Sequence, residues 1–149
     1  SRSCQIKAQI VSIDEKEHGI RAILNFGHTC AHALENLINY DSKKLIHGEA
    51  VAIGMACALK LSVIMKLFTK KDAEKCISLI SKFNLPTKLK DIKGVKLSAK
   101  QLLDKFYLDK KVKNGKIRLI LCNGIGSALI QDDLDELTLK KFFNELINE

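Results

Sequence analysis

The sequence predicts a mainly α, multihelical domain that carries one small β-hairpin. Three observations predict it. Helix punctuation is sparse, with 8 Gly and 1 Pro in 149 residues. The one β-like stretch, Lys116 to Cys122, is rich in Ile and Leu and lies between Gly115 and Asn123-Gly124. Neither a βαβ alternation nor a GxGxxG occurs, which excludes a Rossmann-type nucleotide fold within this chain.

The elements follow in order. A first helix is expected from Arg2 to Ile13, ended by the polar turn of Asp14, Glu15, Glu17 and Gly19. A second is expected from Ile20 to Asn39, then a loop from Tyr40 to Ile46. A third, largely buried helix begins at His47 or Gly48 and ends near Phe68, because Ala50 to Leu59 is apolar and rich in small residues. A fourth takes Asp72 as its N-cap and stops before Pro86. Thr87 to Leu97 reads as irregular. Ser98 and Gln101 have capping-box spacing and open a fifth helix reaching Asp109. Ala128 to Gln131 pairs with the strand as a hairpin, and a last helix runs from Leu137 to Ile147.

Length fits a single domain over residues 1–149, and a 46% hydrophobic content is enough for a core. No apolar run reaches the roughly 18 residues that indicate a bilayer span. Arg2, Gln5 and Lys7 interrupt the start too early for a signal peptide. The chain opens on Ser1, already in a helical pattern, so a trimmed fragment is expected. Five cysteines without a CxxC pair argue against disulfide scaffolding and a thiolate zinc site, and fit a reducing cytoplasm. The net charge of +8 attracts anions without choosing among them. Its lysines, such as Lys70, Lys71, Lys140 and Lys141, are scattered over helix faces.

The informative segment lies on the second expected helix. At about 100° per residue, Arg21, Asn25, His28 and His32 fall within roughly 60° of one another, and Glu35 borders them. Arg21 suits bidentate capture of a carboxylate or phosphate. Asn25 both donates to and accepts from a hydroxyl. The four-residue spacing of His28 and His32 suits two metal ligands, or one ligand beside a proton shuttle. Taken alone, it suits better two partly buried histidines satisfied by hydrogen bonds. Gly27 admits another backbone or a ligand. His47 adds a third histidine at the start of the next helix, while His18 sits in the charged turn. HExxH is absent, which disfavours a zinc protease.

Several long motifs, in order, resemble 3-dehydroquinate synthase. They are Lys7 to Val11 (KAQIV), Asp14 to Thr29 (DEKEHGIRAILNFGHT), His32 to Glu35 (HALE) and His47 to Met55 (HGEAVAIGM). The likeness returns at Leu85-Pro86, at Asp109-Lys110-Lys111, at Gly115 to Leu121 (GKIRLIL) and at Ile125-Gly126. Cys30 and Ala31 depart from the family's usual bulky apolar residue followed by Gly, and neither removes a proposed contact.

The resemblance implies the helical C-terminal domain of a lyase that converts DAHP (3-deoxy-D-arabino-heptulosonate 7-phosphate) to 3-dehydroquinate and phosphate in the shikimate pathway. It implies tightly held NAD, bound mainly by an N-terminal domain outside this chain, and a divalent metal, zinc or cobalt. His28 and His47 would be metal ligands, with a third, carboxylate ligand supplied from upstream. His32 and Glu17 would assist proton transfers. Lys7, Arg21, Asn25 and one of Lys110 and Lys111 would hold the substrate. A cytoplasmic homodimer is expected of the full-length protein, and no activity of the fragment alone. The rival readings are another sugar-phosphate cyclase of the same superfamily and a non-catalytic basic helical module for nucleic acid. The second is disfavoured by dispersed charge and by only 6 Phe, 2 Tyr and 0 Trp for stacking.

Overall fold

The structure, a computed structural model, describes residues 2–16, 19–108, 117–132 and 134–149. Its elements are α1 (Arg2–Ile13), a 3-10 turn (Ile20–Asn25), α2 (His28–Leu37), α3 (His47–Ile64), α4 (Lys70–Lys82), α5 (Ala99–Leu108), β1 (Arg118–Gly124), β2 (Ser127–Asp132) and α6 (Glu136–Asn148), with a short 3-10 turn at Leu89–Asp91. The predicted class, mainly helical with one antiparallel hairpin, is the class observed.

α3 is the axis of the domain, with α2, α4 and β1 packed around it. α5 lies against α2, and α6 against α5. Leu34, Ile53, Leu102, Leu121, Leu139 and Phe143 are fully buried where these elements meet. Phe106 and Phe143 meet edge to face at 4.9 Å between centroids, a favoured aromatic geometry. By length and composition alone α3 could cross a membrane, with a mean hydropathy of 1.4 over its 18 residues. The expectation of no such stretch rested on its interruption by Lys60. Half of the α3 window is buried within the protein, as in a core helix.

Buried Ser62 joins helix to hairpin. Its hydroxyl donates to the Ala58 carbonyl at 2.7 Å and accepts from the Cys122 backbone N–H at 2.9 Å. The hairpin pairs Arg118 with Asp132 and turns at Ile125-Gly126, one step beyond the Asn123-Gly124 expected to end the strand. Gly126, at φ 80°, supplies the positive φ that so tight a turn requires.

Two expectations are corrected. The helix predicted from Ile20 to Asn39 is not continuous. Phe26 is extended and Gly27 is left-handed at φ 84°, so α2 starts afresh at His28. The reason is tertiary: Gly27 turns the chain against α3. The fourth helix is capped by Thr69, not Asp72. The Thr69 hydroxyl accepts from the Asp72 N–H at 3.1 Å and donates to the Asp72 carboxylate at 2.8 Å. Asp72 is therefore the acidic residue of the first turn, where the helix dipole favours it. The Ser98–Gln101 box forms as expected, with each side chain bonded to the other's backbone N–H.

Candidate functional site

The histidine cluster is assembled from two short segments, the start of α2 and the start of α3, and the 3-10 turn that precedes α2 carries Arg21 and Asn25. The turn is tied down by Asp14, whose carboxylate accepts from the Gly19 and Arg21 N–H groups at 2.8 and 2.9 Å. Arg21 is half-buried, and its Nη1 donates to the Glu15 carbonyl at 2.5 Å. That contact occupies one of the five guanidinium donors. Asn25 is exposed at the end of the turn. Lys7 is exposed on α1, which packs on this turn. Glu17, Lys110 and Lys111 lie outside the described residues.

α2 and α3 run in opposite directions, since Glu35 meets His47 while Gly27 meets Gly54. This brings three imidazoles together. The His28 ring lies 5.9 Å from that of His32 and 5.6 Å from that of His47, both edge-on. His32 and His47 are exposed and His28 is half-buried, so the group faces outward. The N-terminus of α3 is secured by Glu49, whose carboxylate accepts from the Ile46 N–H at 3.0 Å.

The donor chemistry fits a divalent metal held by His28 and His47. The Nδ1 of His47 faces the Glu35 carboxylate at 2.9 Å. The Nδ1 of His28 faces the Phe26 carbonyl at 3.4 Å, a long contact. Both partners can only accept, so these contacts match the Nδ1–H tautomer, which leaves an Nε2 lone pair for a ligand bond. Two rings on one tetrahedral zinc, at about 2.0–2.1 Å per Zn–N bond, have centroids roughly 5 Å apart. The observed spacing needs only a small closure. Among the described residues no group of three or more His, Cys, Asp or Glu side chains is placed to hold a metal. Cys30 is buried, and the Cys57 thiol beside it, then its burial, push its thiol pKa well up.

Two concavities of the structure lie elsewhere, and neither includes a histidine of the cluster. One, of about 20 Å³, is an apolar void behind it, bordered by Asn25, Gly27, Cys30, Gly54 and Cys57. It has room for about one water. The other, of about 600 Å³, is lined by Lys60, Glu74, Lys82 and Lys88.

Sequence reasoning missed Glu35 as the partner of His47, and Asp14 as the anchor of Arg21. A signal for Glu35 was present: with His28 and His32 it makes i, i+4, i+7 spacing on one helix face.

In fold, the chain matches one domain of a class of synthases. It resembles 2-epi-5-epi-valiolone synthase from Streptomyces hygroscopicus subsp. jinggangensis, solved with NAD+ and Zn2+ bound, at TM-score 0.79 and 22% identity over 99% of this chain and 39% of that one. It also resembles 2-deoxy-scyllo-inosose synthase, solved with carbaglucose-6-phosphate, NAD+ and Co2+, at TM-score 0.71 and 23% identity over 93% of this chain and 38% of that one. In sequence the relation is narrower. The family described as 3-dehydroquinate synthase C-terminal matches residues 1–112, and the chain belongs to that family. It is 46% identical over 143 residues to the 3-dehydroquinate synthase of Agrobacterium fabrum, covering 96% of this chain. It is likewise 46% identical over 145 residues to that of Sinorhizobium medicae, covering 97%. The chain spans 38% of the length of these two curated relatives.

Proposed function

We propose that this chain supplies the metal- and substrate-binding face of a 3-dehydroquinate synthase, which converts DAHP to 3-dehydroquinate and phosphate. The observation that carries the reading is the convergence of His28, His32 and His47 from two helices, in a chain of this family. His28 and His47 hold the metal through Nε2, with a carboxylate from another part of the protein as third ligand. The metal, zinc or cobalt, supplies Lewis-acid polarisation of the substrate hydroxyl that is oxidised. NAD, held by another domain, would supply a reversible hydride acceptor.

The remaining roles belong to side chains of this chain. Arg21 and Lys7 bind the substrate's anionic groups, and Asn25 its hydroxyls. One of Lys110 and Lys111 does the same from another side. His32 and Glu17 move protons between substrate and solvent. The proposed setting is the cytoplasm, within a homodimer on the shikimate route, with neither nucleic acid nor membrane as partner. This chain alone lacks the activity under this reading, since NAD and the third ligand are held elsewhere.

The test is phosphate release from DAHP by the complete protein that carries this chain, with NAD+ and zinc. His28→Ala and His47→Ala should lose bound metal and activity together. His32→Ala should keep its metal while kcat falls about 10²–10⁴-fold. No turnover of DAHP by the wild type would overturn the reading. A second reading, a related cyclase acting on an uncarboxylated sugar phosphate, draws on the fold likeness to the valiolone and inosose synthases. Turnover of such a substrate but not of DAHP would favour it.

A further inference from the structure

We propose that Glu35 is a positioning residue for His47: it selects the ring tautomer and aims Nε2 at the metal. The inference rests on the metal-site reading above. Its ground is a single well-formed contact, with Oε1 of Glu35 2.9 Å from Nδ1 of His47.

The two partners differ in environment. The His47 side chain is 59% exposed and that of Glu35 only 12%. His47 is the first residue of α3, where few neighbours restrict its ring. A neutral imidazole so exposed would otherwise populate both tautomers and several rotamers. Glu35, set in the last turns of α2 and largely shielded from water, is the fixed member of the pair. A carboxylate offers no proton here, so the contact requires Nδ1–H and leaves the lone pair on Nε2. The same contact raises the basicity of the ligating nitrogen, as carboxylates behind metal-bound histidines do. The start of α3 adds to the preference, because a helix N-terminus favours a negative charge beside it.

Gly27 meets Gly54 towards one end of the α2–α3 pair, and Glu35 meets His47 at the other. His28 lies between these fixed points, with its ring 5.6 Å from that of His47. Glu35 does not touch substrate in this scheme. It acts through His47 alone.

The experiment measures metal affinity of the complete protein by competition with a chelator, for zinc and for cobalt. It compares wild type, Glu35→Ala, Glu35→Gln and His47→Ala. In parallel, the ring nitrogens of His47 are observed by NMR in the metal-free wild type. Glu35→Ala should weaken metal binding about 10–100-fold with the thermal midpoint little changed. Glu35→Gln, whose amide oxygen can still accept from Nδ1–H, should recover part of that loss. The neutral wild-type ring should be the Nδ1–H tautomer. Wild-type affinity in Glu35→Ala, with binding lost in His47→Ala, would overturn the role of Glu35 and leave the metal site standing. Wild-type affinity in His47→Ala would overturn the metal-site reading itself. An Nε2–H tautomer in the wild type would overturn the role of Glu35 even if Glu35→Ala did not fold.

Discussion

Gly54 lies directly against the carbonyl of Gly27. A Cβ on Gly54 would stand 2.0 Å from the Gly27 oxygen and 3.2 Å from the Ala31 nitrogen. A Cβ on Gly27 would stand 2.6 Å from the Met55 nitrogen. This backbone contact brings the first turn of α2 against the middle of α3. It also explains why α2 must begin at His28: the chain reaches the contact only with Gly27 left-handed.

Gly54→Ala should therefore be costly. The obstructing atoms are backbone, so no side chain can swing aside. Overpacking of this kind costs about 1–3 kcal/mol, and a backbone obstacle favours the upper end. Gly27→Ala adds the left-handed penalty of about 1–2 kcal/mol. Gly48→Ala, with nothing within 4 Å of the new methyl, should be close to neutral or stabilising. Urea unfolding of the three variants checks the order. Equal stability of Gly54→Ala and Gly48→Ala would remove the contact as the determinant of the α2–α3 crossing.

Ser62→Ala tests the junction between α3 and the hairpin. The hydroxyl accepts from the Cys122 N–H, and its removal leaves that donor without its partner. The expected loss is about 1–3 kcal/mol. Amide exchange should quicken at Cys122 in particular. A uniform change across β1 would point instead to general loosening of the sheet.

Asp135 predicts a pH dependence. It N-caps α6, accepting from the Thr138 N–H at 2.8 Å and from the Thr138 hydroxyl at 2.6 Å. The Thr138 hydroxyl, and then the Thr138 N–H, hold its carboxyl below the ordinary value of 3.8. A pKa lowered on folding means the unfolded chain binds the proton more readily. The cap's contribution is therefore complete above the ordinary carboxylate value and is lost as pH falls through the lowered one. Asp135→Asn, still a good N-cap, should keep most of the stability at neutral pH and lose part of its acid dependence. Urea midpoints from neutral to acid pH, for both proteins, measure the difference. Parallel curves would show that Asp135 does not contribute to it.

Much of the fold was legible because its signals are local. The bounds of α1, the Ser98–Gln101 box and the hairpin all follow from residues within a few positions of one another. The cap of α4 was misassigned because Thr69 and Asp72 are both good N-cap residues. Only the geometry shows that Thr69 caps and Asp72 answers it.

The site divides in the same way. Its residue types were legible: Arg21, Asn25, His28, His32 and His47 stand in a pattern that a bland helix has little use for, and the family motifs repeat it. Their placement on one continuous helix was not correct, because helical periodicity assumes that α geometry persists. Gly27 breaks it to meet Gly54, 27 positions later in the chain. His47 finds Glu35 across a loop. By itself, then, the sequence determined which side chains this protein has available for chemistry and which stretches become helix. Tertiary structure alone decided how two helices bring His28, His32 and His47 together, because backbone-to-backbone packing and a cross-helix hydrogen bond depend on distances in space that no spacing along the chain encodes.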